Sequence, residues 1–175
     1  MSEDEEDRTS GDTGPVARSD AGRRGPRRGA RSRAREMALQ ALYQCVVGGG
    51  DVHWAIEQFS RDPVGGPADV VFFRELVLGV WSRLDELDGM IAGAAHHWAP
   101  ERLSVIDRNV LRLGIYELLY QRDLPVRVVM NEAIELSKRF GGEDSGRFVN
   151  GILDRVAADV RGGADPVAGL LPEGD

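Results

Sequence analysis

The sequence predicts an all-α protein, a single compact domain of about seven helices, and three observations carry that prediction. Apolar residues recur at helical spacing from Ser32 to Val160. No stretch sustains the alternation of a half-buried strand; Val126–Val129 comes nearest, and the following Asn131–Leu136 draws it into a helix. Glycine, proline and N-capping residues interrupt the pattern at helix-length intervals. With 175 residues, 42% of them apolar, the chain suffices for one well-formed core and is short for two.

The first helix is expected from about Ser32 to Val47, with Ala38, Leu42, Cys45 and Val46 on one face and Gly48–Gly50 as its stop. Asp51 is a good N-cap for a second helix that turns Val52, Ala55, Ile56 and Phe59 inward. Residues 62–67, rich in proline and glycine, form a loop. A third helix carries Phe73, Leu76, Val77, Val80 and Leu84 on its stripe. A fourth, with Leu87, Ile91, Ala94 and Trp98, ends at Pro100. Ser104 and Asp107 stand at capping-box spacing. The helix they open, to about Gln121, is apolar nearly all round and should be the most buried. After Asp123–Pro125 a sixth helix points Val129, Ala133, Leu136 and Phe140 inward and stops at Gly141–Gly142. The seventh starts near Asp144, with Val149, Ile152, Leu153, Val156 and Val160 inward.

The ends differ from this body. Residues 1–30 hold almost no large apolar side chain, and so little apolar surface cannot offset the entropy of ordering. They read as a disordered arm, acidic and then rich in Arg and Gly; residues 162–175 read as a disordered tail, leaving 31–161 as the folded domain. The net charge of -7 hides a division along the chain. Residues 1–17 carry one Arg against six Asp/Glu, and residues 18–35 carry eight Arg against one Asp. The remainder holds 13 basic against 22 acidic residues. A single cationic block therefore adjoins an acidic body.

Several function classes find no support. His53, His96 and His97 have no partners at zinc spacing, and Cys45 is the lone cysteine. There is no nucleophile elbow, P-loop or dinucleotide fingerprint, so no catalytic residue, metal or cofactor is expected. Acidic pairs such as Asp85/Glu86 and Glu132/Glu135 read as solvated helix faces. Met1–Asp7 lacks the character of a signal peptide, and the longest apolar run is too short to span a bilayer; a cytoplasmic protein is the expectation.

Two features point toward RNA. Arg31, Arg33 and Arg35 stand where the arm enters the first helix, and guanidinium groups fork onto phosphates and stack on bases. The alternative is a solvated arm that aids solubility. On the seventh helix, Phe148 lies about 90° from the core stripe, beside Asp144, Arg147, Gly151 and Arg155. Such a ring either stacks on an unpaired base or packs at the edge of the core.

Three segments, in order, resemble one family. They are Arg33–Tyr43 (RAREMALQALY), Ile106–Leu118 (IDRNVLRLGIYEL), and Asn131–Gly141 (NEAIELSKRFG) continued through Glu143–Ser145 to Phe148–Asp154 (FVNGILD). They are similar to the NusB transcription antitermination factors, over about residues 31–160. The resemblance implies two packed helical sub-bundles and binding to the boxA element of ribosomal RNA leader transcripts. It also implies partnership with NusE, a small-subunit ribosomal protein, within an RNA polymerase elongation complex that holds other Nus factors. By position it implies RNA contacts at Arg31, Arg33, Arg35, Asp144 and Phe148, and a partner-protein contact at Asp107. Ser32 interrupts the family's basic run, and the acidic extension before Arg18 is longer than the family's short arm. An interaction module, chiefly a homodimer with minor RNA binding, is the alternative. A third reading is enzymatic, since a domain similar to this family's also occurs fused in front of an RNA methyltransferase domain; no cofactor motif here supports it.

Overall fold

The computed structural model describes residues 29–61, 63, 66–95 and 103–161. Residues 1–28 and 162–175 of the expected disordered ends, and Trp98 and Pro100 at the close of the fourth helix, lie outside the described residues, whereas Ala30, expected in the arm, opens the first helix. Among the described residues there are seven helices and no strand. They are α1 (Ala30–Gly48), α2 (Val52–Arg61), α3 (Val70–Trp81), α4 (Leu84–Ala94), α5 (Val105–Tyr120), α6 (Val126–Phe140) and α7 (Ser145–Arg161). The all-α prediction is borne out.

Most helix ends follow from their local chemistry. α1 stops because Gly49 takes a left-handed conformation, φ 63°, and returns its N–H to the carbonyl of Cys45. Asp51 then caps α2, accepting from the N–H of His53 at 2.7 Å and of Trp54 at 3.0 Å. Those N–H groups, that of Trp54 above all, hold the Asp51 carboxyl below the usual carboxylate range. Asp69 caps α3 through Phe72 N–H. Ser104 caps α5 through Asp107 N–H.

Two details of the sequence reading change. Leu84 opens α4 and does not continue α3. The chain turns at Ser82–Arg83, where both side chains donate to the carbonyl of Gly79 and take up a helix-end acceptor. Val46, expected inward, is exposed, whereas Met37, Leu39 and Ala41 join Ala38, Leu42 and Cys45 in the core. The buried stripe of α1 is thus wider than expected and centred elsewhere.

α5 is the hub. Every residue from Asn109 to Leu119 is buried, which is the outcome its all-round apolar character predicts. α1, α2 and α3 pack together on one side, and α6 and α7 pack as a pair on the other. α5 touches α1, α3, α4, α6 and α7 and joins the two groups. Close approach is built in at Gly79, where an added Cβ would overlap the ring of Tyr116. No described helix is long and apolar enough to cross a membrane.

Candidate nucleic-acid interface

The first turn of α1 is fixed by α3. The N–H of Asp69 donates to the carbonyl of Ala30 at 3.0 Å, and the Asp69 carboxylate stands 3.6 Å from Nε of Arg31. The buried ring of Phe72 follows one turn on, with the guanidinium carbons of Arg31 and Arg35 at 4.9 and 5.0 Å from its centroid. The three arginines of the expected basic motif then part company. Arg31 is half exposed, its side chain retaining 51% of its surface. Arg33 is half-buried beside the loop that precedes α3, close to Gly66.

Arg35 requires a correction. Its side chain is 3% exposed and lies against Glu117 of α5, equally buried. Nε donates to both carboxylate oxygens, at 2.9 and 3.1 Å, and Nη2 donates at 2.6 Å. Nη1 lies 3.8 Å from Glu132 of α6, whose other oxygen accepts from the Ser32 hydroxyl at 2.7 Å. A guanidinium so enclosed offers no face to a phosphate, so we assign Arg35 to the fold. The signal was present in the sequence. Arg35 stands three and four residues before Ala38 and Leu39, which puts it on the core face. Glu117, in turn, sits in an otherwise apolar helix and needs a cation. Burial pushes the Glu117 carboxyl above the usual range, against the pull of Arg35. Glu132 is likewise no solvated charge, unlike Glu135.

α6 carries the link to the last helix. At its middle Glu132 meets Ser32, and at its end Arg139 pairs with Glu36 of α1. On its other side, Ser137 and Lys138 lie against Gly146 in the first turn of α7. Ser145 closes the turn between α6 and α7 by accepting from Gly142 N–H at 2.8 Å. Asp144 is exposed there, and its carbonyl accepts from the N–H of Phe148. The Phe148 ring is half-buried and packs against the core. It is an edge residue of the core, not a fully outward ring.

Asp107 belongs to the opposite end of α5. Its Oδ2 accepts from the Ser104 hydroxyl at 2.8 Å, and its N–H donates to the same hydroxyl at 3.0 Å. Its Oδ1 is buried without a hydrogen-bond partner. At 1.5 Å of rise per residue, Asp107 and Glu117 stand about 15 Å apart along the helix axis. Nearby, Arg112 forks onto Asp88 of α4 at 2.7 and 2.6 Å, which ties α4 to α5. No group of three metal-ligating side chains occurs among the described residues.

Six described helices around a central one buried from Asn109 to Leu119, with a basic helix start braced by three neighbours, define a class of two-lobed all-helical proteins. Residues 32–158 match the model of the NusB family. The chain is 50% identical over 137 residues to the transcription antitermination protein NusB of Myxococcus xanthus (strain DK1622), covering 74% of this chain and 95% of that protein. It is 40% identical over 141 residues to that of Desulforamulus reducens, covering 81% and 98%. Among solved structures, a crystal form of T. maritima NusB is similar with a TM-score of 0.67 and 39% identity, over 75% of this chain and 93% of that one. A crystal structure of the antitermination factors NusB and NusE in complex with dsRNA is similar with a TM-score of 0.64, over 73% and 95% of the two chains. At 24% identity that last likeness is one of fold. The chain belongs to the NusB family.

Proposed function

We propose that this protein is a transcription antitermination factor without catalytic activity, which binds boxA-containing RNA of ribosomal leader transcripts together with NusE. It acts in the cytoplasm, within an RNA polymerase elongation complex, and promotes processive transcription of ribosomal RNA operons. One observation carries the reading: the start of α1, which bears Arg31 and Arg33, and the start of α7, which bears Asp144 and Phe148, both pack on one helix, α6, through Ser32 and Glu36 on one side and Gly146 on the other. Arg31 and Arg33 supply phosphate contacts, which hold RNA without reading it. Phe148, with Asp144 beside it, supplies a ring edge and an acceptor for an unpaired base. The proposed partner contact at Asp107 lies on the far end of α5. Its half-buried carboxylate, held by the exposed Ser104 hydroxyl, is the acceptor proposed for a partner's N–H or cation. A solved NusB of this fold is in complex with NusE and RNA, which supports a ternary assembly here.

The test is the affinity for boxA RNA against a scrambled RNA, with and without NusE, over a range of salt. Arg31→Ala with Arg33→Ala should weaken binding and lower the log–log salt slope by about 1.4, the yield of two single-strand phosphate contacts. Phe148→Ala should weaken binding by about 1–3 kcal/mol with the slope unchanged. Equal affinity for boxA and scrambled RNA in the presence of NusE would remove the reading. A size measurement on the same samples decides whether the chain acts chiefly as a homodimer.

A further inference from the structure

We infer that Arg139, in the last turn of α6, is a third phosphate-binding arginine, which carries the RNA backbone from the start of α1 to the start of α7. The inference rests on the RNA-binding reading above and extends it to a residue outside the Arg31–Arg35 motif.

Position comes first. The end of α6 adjoins both helices that carry the proposed RNA contacts: Arg139 pairs with Glu36 of α1, and its neighbour Lys138 lies over Gly146 of α7. Gly146 has no side chain, so the Lys138 stem rests directly on the first turn of α7.

Presentation comes second. Arg139 contrasts with Arg35, the other arginine that pairs with a buried carboxylate on this side of the molecule. Arg35 is enclosed, whereas the Arg139 side chain keeps 46% of its surface exposed although Glu36 is 7% exposed. A guanidinium has five N–H donors, and the pair with Glu36 is made through Nη1. The Phe140 ring lies 5.2 Å from the guanidinium carbon. Glu36 and Phe140 together restrain the group, so less side-chain freedom is lost when it forks onto a phosphate. The exposed Lys138 ammonium lies at the same helix end, 3.4 Å from the exposed Glu135 carboxylate.

A purely local role is the competing account, because a cation in the last turn of a helix is favourable with the helix dipole and with Glu36. The two accounts separate on salt dependence. Arg139→Gln is measured against the parent for boxA RNA affinity at several salt concentrations, and for thermal unfolding without RNA. The expected result is about tenfold weaker binding, the scale of one charge-assisted hydrogen bond, and a salt slope lower by about 0.7. Arg139→Lys should restore the slope and only part of the affinity, because a point charge cannot fork. An unchanged slope, whether or not the melting temperature falls, overturns the inference. Arg31→Ala with Arg33→Ala serves as the reference. If that variant loses RNA and Arg139→Gln does not, the inference alone fails; if neither variant loses RNA, the RNA-binding reading fails with it.

Discussion

Replacing Arg35 by Ala separates a fold role from a binding role at the last arginine of the basic motif. The variant leaves Glu117 buried with no cation hydrogen-bonded to it, whereas the parent pair makes three hydrogen bonds at 2.9, 3.1 and 2.6 Å. Stranding one member of a buried pair costs about 3–5 kcal/mol. For a folded region of this size, that loss corresponds to a melting temperature lower by roughly 12–20 °C. The deficit should depend on pH with a definite sign. Burial already holds the Glu117 carboxyl above the usual range, and loss of Arg35 raises it further. A carboxyl whose folded pKa is raised contributes stability below its unfolded value and loses it as pH rises through the folded value. The gap between variant and parent should therefore narrow as pH falls through the carboxylate range. The double variant Arg35→Met, Glu117→Leu removes both charges and should recover most of the stability, because well-packed apolar replacements of buried pairs are neutral or better. It should also keep the parent's affinity for RNA. Thermal and denaturant unfolding at several pH values, with RNA titrations on the same samples, supply the data. An Arg35→Ala protein that melts with the parent yet loses RNA would refute the reasoning, since that pattern belongs to a guanidinium that meets phosphate.

Two further variants test the packing that positions these groups. Gly79→Ala places a methyl group inside the Tyr116 ring, so α3 and α5 must separate or the ring must turn; a loss of about 1–3 kcal/mol is expected by denaturant unfolding, and an unchanged midpoint would mean that the contact is loose. Ser104→Ala removes the cap of α5 and both of its bonds to Asp107; about 1 kcal/mol of stability should go, together with affinity for NusE, whereas RNA affinity in the absence of NusE should hold.

The helices were legible because each apolar stripe coincided with a punctuating residue: Gly49 for α1, Asp51 for α2 and Ser104 for α5 perform the capping their types predict. The resemblance carried by three segments agrees with the family match over residues 32–158. Legibility failed where charge and periodicity disagreed. Arg35 sat in a basic run, and its charge was weighed above its place on the core face. Glu132 sat in a pattern of exposed acids, and nothing local revealed that Ser32 and Arg35, a hundred residues earlier, would meet it. Arg139 was invisible for the same reason, because its significance comes from Glu36 of α1. Helical period states which side of a helix is buried; it does not state which distant side chain waits there.

The charges around the start of α1 also explain how an acidic body can present a cationic edge. Glu117, Glu132 and Glu36 would each repel a polyanion if they faced water. Glu117 is instead consumed by Arg35, Glu132 accepts from Ser32 while it flanks the same arginine, and Glu36 is turned inward onto Arg139. The same bonds fasten α1 to α5 and α6 by directional contacts within a region that apolar packing alone would leave free to slide. Arg31 thus projects from a helix end whose placement is set by buried ion pairs, with Arg33 half-buried beside it, and the acid that faces them, Asp69, is engaged by Arg31 and by the cap of α3. An arm of equal charge on an unbraced helix would pay the ordering entropy at the moment of binding. Bracing moves that cost into folding, where the core has already met it.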